Sequence, residues 1–216
     1  MALVKHDSGE VQFKIVYCGP PLGGKTTNLN YIHRRLDPRW RGDMISVATE
    51  QNRTISFDYL PIHATEIGDY SVRFQLYTVP GQEVMKETRR SVLAGADAVV
   101  FVADSDPDRL SLNVESYEDT WQCLKENRIS PSSIPIVFQF NKRDLRGATP
   151  PPVLDEVLRV NTSSFLACAM SGYQVFATLD YVTKQVLKGF CRSIVIKNSH
   201  RRSDVGNVGS TELVAS

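Results

Sequence analysis

Phe13-Lys14-Ile15-Val16-Tyr17-Cys18-Gly19-Pro20-Pro21-Leu22-Gly23-Gly24-Lys25-Thr26 is the stretch on which the fold turns. Phe13 to Cys18 reads as a buried β-strand, and the eight residues from Gly19 fit G-x-x-x-x-G-K-[ST]. Thr26 to Leu36 then puts Leu29, Ile32 and Leu36 on one helical face. Strand, glycine turn and helix in that order are the setting in which this motif holds phosphate. A glycine-containing turn aims successive backbone N–H groups at an anion, and the helix N-terminus adds its positive dipole end. Gly19, Leu22, Gly23, Gly24 and Thr27 form the expected cradle. Lys25 would reach the outer phosphates, and the Thr26 hydroxyl would ligate Mg²⁺.

The same alternation continues outward. Ala98 to Ala103 and Ile134 to Phe140 are near-continuous apolar runs, as parallel strands covered on both faces require. Ile55, Phe57 and Tyr59 alternate with polar residues, as do Val72, Phe74 and Leu76, which predicts an antiparallel edge pair. Asp106-Pro107-Asp108 is a helix start, and Leu110, Val114, Tyr117, Trp121 and Leu124 follow as a core stripe. A last helix is predicted over Gln174 to Leu187, with Val175, Leu179, Val182 and Val186 inward. After Phe190 the composition turns polar, and a disordered tail is expected. The pattern is α/β: a mostly parallel central sheet with one antiparallel edge strand and helices on both faces.

Composition narrows the function classes. The chain has 216 residues, 42% hydrophobic and 23% charged, fractions that suffice for one sizeable core and exclude wholesale disorder, collagen and coiled coil. A net charge of +1 supplies no field for nucleic acid or an anionic membrane. Cys18, Cys123, Cys168 and Cys191 lie far apart, with no C-x-x-C pair and no histidine in metal-ligand spacing, so neither a disulfide scaffold nor a zinc site is indicated and buried thiols in a reducing cytosol are expected. The longest apolar run falls far short of the roughly 20 residues that span a bilayer. A cytoplasmic chain is expected.

The base is read elsewhere. Asn141-Lys142-Arg143-Asp144 closes the run Ile134 to Phe140, at the end of a parallel strand where open α/β sheets bind ligands. An ionised Asp offers acceptors only, in a planar pair that takes two N–H groups from guanine N1 and N2; adenine has an acceptor at N1 and no amino group at C2. Asp144 therefore selects guanine, with Asn141 as its companion reader and Lys142 between them.

With these residues in view, the chain resembles the Ras-like small GTPases, and more closely the MglA group of bacterial gliding-motility and polarity GTPases. The likeness runs from about Val11 to Leu187 through FKIVYCGPPLGGKTTNLNYI, SVATEQNRTISFDYLP, RFQLYTVPGQ, VVFVADS and FQFNKRDL. It implies a P-loop small G domain over residues 11–190, an N-terminal extension over 1–10 and a tail over 191–216. It implies GTP and GDP as ligands with Mg²⁺, and GTP hydrolysis as the reaction. By resemblance Thr54 joins Thr26 on the metal when the γ-phosphate is present, the Gly81 amide contacts that phosphate, and Gln82 orients the attacking water. Arg53 matches an arginine supplied in cis, an effect worth roughly 10³ to 10⁵ in rate. Arg53 and Thr54 point to opposite faces of a regular strand, so Arg53 is expected to enter only after a register change. The Ala169 backbone is the contact carried over in the last base loop, Cys168-Ala169-Met170.

Two positions depart from the Ras-like pattern. Thr78 stands where a carboxylate usually holds the metal through water; if residues 54, 56 and 58 share a face, Asp58 restores that charge. Pro21 replaces glycine, lacks an N–H and crowds the phosphates. The resemblance also implies a roadblock-fold homodimer as activating partner and polarity effectors that recruit the chain to a cell pole. No lipidation signal is read at Ala2 or at Leu213-Val214-Ala215-Ser216, so no direct membrane anchor is expected. A hydrolysis-deficient docking scaffold and an ATP-using P-loop enzyme are the alternative readings. Pro21 and Thr78 favour the first, while intact Gln82 and Arg53 oppose it; Asn141 to Asp144 oppose the second.

Overall fold

A computed structural model describes residues 3–47, 57–67, 70–79 and 86–205. In chain order its elements are β1 (Leu3–Lys5), β2 (Glu10–Cys18), α1 (Lys25–Arg35), β3 (Ile45–Val47), β4 (Phe57–Ile67), β5 (Tyr70–Thr78) and α2 (Lys86–Leu93). They continue as β6 (Ala98–Asp104), α3 (Leu110–Glu126), β7 (Ile136–Asn141), α4 (Pro151–Val157), β8 (Ser164–Leu166) and α5 (Val175–Val205). The strands form one sheet in the order β3-β4-β5-β2-β6-β7-β8, with β1 paired to β2.

Alternation along β2 sets up two cores. Phe13, Ile15 and Tyr17 face α1 and α5, packing with Leu29, Ile32, Val175 and Val182. Val16 and Cys18 face the other way, toward Leu93 of α2, Leu124 of α3 and Leu154 of α4. Because both faces are covered, every residue of β6 is buried, which is why its sequence is a continuous apolar run. Burying each large side chain contributes about 1.5–3 kcal/mol before the entropy of ordering it.

β2 pairs in parallel with β5 and β6, and β6-β7-β8 continue in parallel. The expected antiparallel pair exists as β4 and β5, but β5 is interior, held between β4 and β2. Two short strands extend the antiparallel part: β3 on β4, and β1, from the N-terminal extension, on β2.

The structure rotates the expected face of α3. Its fully buried residues are Asn113, Ser116, Thr120, Cys123 and Leu124. Small side chains on that line bring the helix close to the sheet, while Tyr117 reaches over the margin to Phe101, ring centroids 5.2 Å apart. Asn113, at one of the small positions, clamps the end of β6: its side chain bonds both the N–H and the C=O of Asp104, each at 2.8 Å.

α5 also runs further than its sequence suggests, through Val205 rather than ending near Phe190. No proline or glycine occurs between Phe190 and Gly206, so nothing in the backbone stops the helix.

Candidate functional site

The turn between β2 and α1 is shaped by two glycines. Gly19 has φ +136°, and a Cβ there would collide with the Val102 carbonyl of β6. Gly24 has φ +99°, and a Cβ there would collide with the Asn141 side chain. Leu22, between them, also lies at positive φ and is largely exposed. The loop thus presses against β6 and β7 as only a glycine-containing turn can. α1 begins with no side-chain cap and no acidic residue in its first turn, so its N-terminal N–H groups and dipole face the loop uncompensated. Lys25 is 7% exposed, and its ammonium donates to the carbonyls of Gly19 (2.9 Å) and Pro20 (2.7 Å). Burial pushes it down from the ordinary lysine range to about 8. A buried cation ringed by backbone dipoles at a helix N-terminus is a site for a multiply charged anion.

The base side is braced from within. Asn141, 2% exposed, donates through Nδ2 to the Gly23 carbonyl and accepts through Oδ1 from the Ala169 N–H, both at 2.8 Å. One amide thereby ties the phosphate loop to the loop after β8. That bracing is a further duty of Asn141, which still lies against the cavity beside Asp144. Asp144 is exposed beside a cavity of about 240 Å³ that Leu22, Gly24, Thr27, Asn141, Lys142 and Ala169 help to line. Its carboxylate has no hydrogen-bond or ion-pair partner among the described residues. Lys142, at φ +65°, folds back on a carboxylate that the sequence reading did not single out. Its Nζ lies 2.6 Å from Oδ2 of Asp104, which is wholly buried at the end of β6. Arg109 approaches the same oxygen at 3.9 Å and donates to the Pro21 carbonyl at 2.7 Å. The available signal for Asp104 was its position, a charged residue closing an apolar parallel strand. Arg109 carries none, since arginines near helix starts are usually solvated.

The metal side is built from hydroxyls around one carboxylate. Thr26 Oγ1 donates to Asp58 Oδ2 at 2.6 Å, Thr78 Oγ1 donates to the same oxygen at 2.9 Å, and Ser46 Oγ donates to Oδ1 at 2.7 Å. An exposed threonine hydroxyl next to a carboxylate is an oxygen-only donor set, the kind that suits a hard divalent cation such as Mg²⁺. The residues fit that ion.

The sheet and α1 therefore bring together Gly19, Leu22, Gly23, Gly24, Lys25, Thr26, Thr27, Asn141, Lys142, Asp144 and Ala169 along one edge. Arg53, Thr54, Gly81 and Gln82 lie outside the described residues. Cys18, Cys123 and Cys168 are buried, as expected of packed thiols, and burial pushes the Cys18 thiol up to about 12; Cys191, against that expectation, is exposed on α5.

The model of the ADP-ribosylation factor family matches residues 2–192, nearly the whole described chain. The chain belongs to that family of small GTPases. Mutual gliding-motility protein MglA of Myxococcus xanthus (strain DK1622) is 43% identical over 188 residues, covering 87% of this chain and 96% of its own. ADP-ribosylation factor 3 of Arabidopsis thaliana is 25% identical over 188 residues, 84% of this chain and 92% of its own. ADP-ribosylation factor-like protein 6 of Caenorhabditis briggsae is 24% identical over 186 residues, 83% of this chain and 90% of its own.

This GTPase binds guanine nucleotide, hydrolyses GTP, and works as a nucleotide-dependent switch of the MglA-like kind. Among the described residues, no helix is long and apolar enough to cross a membrane.

Proposed function

We propose that this GTPase controls cell polarity or motility, working in the cytoplasm and reaching a cell pole through protein partners. What supports the reading is the 43% identity to MglA across nearly the whole chain, joined to a site that pairs a buried Lys25 under the glycine turn with the exposed acceptors of Asp144. The first N–H groups of α1 and Lys25 hold the phosphates, and Asp144 takes the N1 and N2 protons of guanine. Thr26 and Thr54 would hold Mg²⁺, which when bound would supply positive charge against the phosphates. Gly81 contacts the γ-phosphate, Gln82 orients the attacking water, and Arg53 enters after a strand shift to stabilise the transferring phosphoryl. A roadblock-fold homodimer binding across the switch segments would favour that shift.

The test is titration of nucleotide-stripped protein with GTP, GDP and ATP, followed by single-turnover hydrolysis with and without a roadblock-type homodimer. The expected outcome is binding of both guanine nucleotides, exclusion of ATP, and acceleration by the partner of about 10³ that Arg53→Ala abolishes. Equal binding of ATP would overturn the base assignment, and an Arg53→Ala variant accelerated as well as the wild type would overturn the arginine's role.

A further inference from the structure

We propose that Asp58 performs the metal-side carboxylate duty of this site, and that Thr78 serves as the residue that positions it. The inference rests on the Mg²⁺ reading above and adds the residue that anchors the ion's surroundings.

The strand register comes first. Ser46 is the cross-strand partner of Asp58, and Tyr59 pairs with Tyr77, so Ser46, Asp58 and Thr78 form one row across β3, β4 and β5. Within that row Thr78 is committed to Asp58 at both ends of its hydroxyl. Thr78 Oγ1 accepts from the Asp58 backbone N–H at 2.9 Å and donates to Asp58 Oδ2 at 2.9 Å. A hydroxyl so occupied holds a neighbour in place; it has no proton left to give a metal-bound water.

The third donor identifies the duty. A threonine hydroxyl that ligates a cation through its oxygen must send its proton to an acceptor. Thr26 Oγ1 already donates to Asp58 Oδ2 at 2.6 Å, within the range of a charge-assisted bond. Asp58 thereby orients the ligand's lone pair outward and supplies negative charge one bond from the ion. Partners of this kind fix ligand geometry and raise metal affinity.

Burial explains why the charge sits on β4 and a neutral hydroxyl on β5. Thr78 is 3% exposed, whereas Asp58 is only half-buried. Ionising a carboxylate at the buried position would cost more desolvation, and two carboxylates facing each other across the strand pair would repel.

The experiment measures release of a fluorescent guanine nucleotide from the full chain as Mg²⁺ is titrated, a readout independent of hydrolysis. In the wild type Mg²⁺ should slow release; absence of any Mg²⁺ effect in the wild type would break the metal reading itself. Given that effect, Asp58→Asn should raise the Mg²⁺ concentration for half-maximal slowing by about 10- to 100-fold, each variant being referred to its own release rate in chelator. The exchanged pair Asp58→Asn with Thr78→Asp returns one carboxylate to the row and should recover the Mg²⁺ response to within about threefold of wild type, the remaining gap reflecting a carboxylate placed one strand away from its native position. An Asp58→Asn protein with the wild-type Mg²⁺ midpoint overturns the proposal. If that single variant does not fold, the exchanged pair decides alone, and a folded pair lacking the Mg²⁺ response overturns it equally.

Discussion

The two ends of the nucleotide edge are built differently. At the base end Asn141 and Asp104 are buried, and their bonds run to backbone groups and to Lys142. At the metal end the bonds among Thr26, Ser46 and Asp58 are exposed to water. A buried polar bond is costly to break because each partner is left without water; an exposed one exchanges for solvent at little cost. The base end is therefore the costlier of the two to rearrange, while the bonds around Asp58 can exchange partners more cheaply. That division is what a switch requires: one region that keeps the ligand and one that reports its state.

The comparison is tested most severely at the base end. Asp144→Ala removes two charge-assisted acceptors from guanine, and about 4 kcal/mol of binding should be lost, near a thousandfold in the dissociation constant for GDP measured by fluorescence titration. Next comes Asn141→Ala, which leaves the Gly23 carbonyl and the Ala169 N–H without their partner. Urea unfolding of the nucleotide-free protein should show a loss of about 3 kcal/mol, and a loss below about 1 kcal/mol would mean that the base end is not the costlier to rearrange. The smallest effect belongs to the responsive end. Ser46→Ala deletes one exposed bond to Asp58 and should change unfolding free energy by about 0.5 kcal/mol or less in the same assay.

How far the sequence carries depends on the range of the signal. The phosphate loop was legible because strand, glycine turn and helix are contiguous, and the packing of Gly19 and Gly24 against β6 and β7 supplies their reason. Val175, Leu179, Val182 and Val186 were legible as the inner face of α5 because periodicity is local, and all four are buried. The inner face of α3 was legible only in part by the same method: Leu124 is buried and Leu110, Val114 and Tyr117 pack half-buried against the core, but the centre of the face was missed. Hydrophobic size favoured Val114, Tyr117 and Trp121, yet close approach to the sheet selects small side chains, and it is Ser116 and Thr120 that lie beneath. Asn141 was found by motif, but its bracing bonds were not, since nothing in sequence says that Gly23 and Ala169 converge on its amide.

Order along the chain, then, determined the α/β class, the glycine-dependent anion cradle and the choice of guanine, because each rests on residues that are neighbours or on the chemistry of a single side chain. Folding alone decided which groups meet across the sheet: Asp104 under Lys142, Arg109 over Pro21, and Asp58 among three hydroxyls from α1, β3 and β5. Such meetings depend on strand order and register, which are set by how the whole hydrophobic surface is buried at once, and no short stretch of residues encodes them.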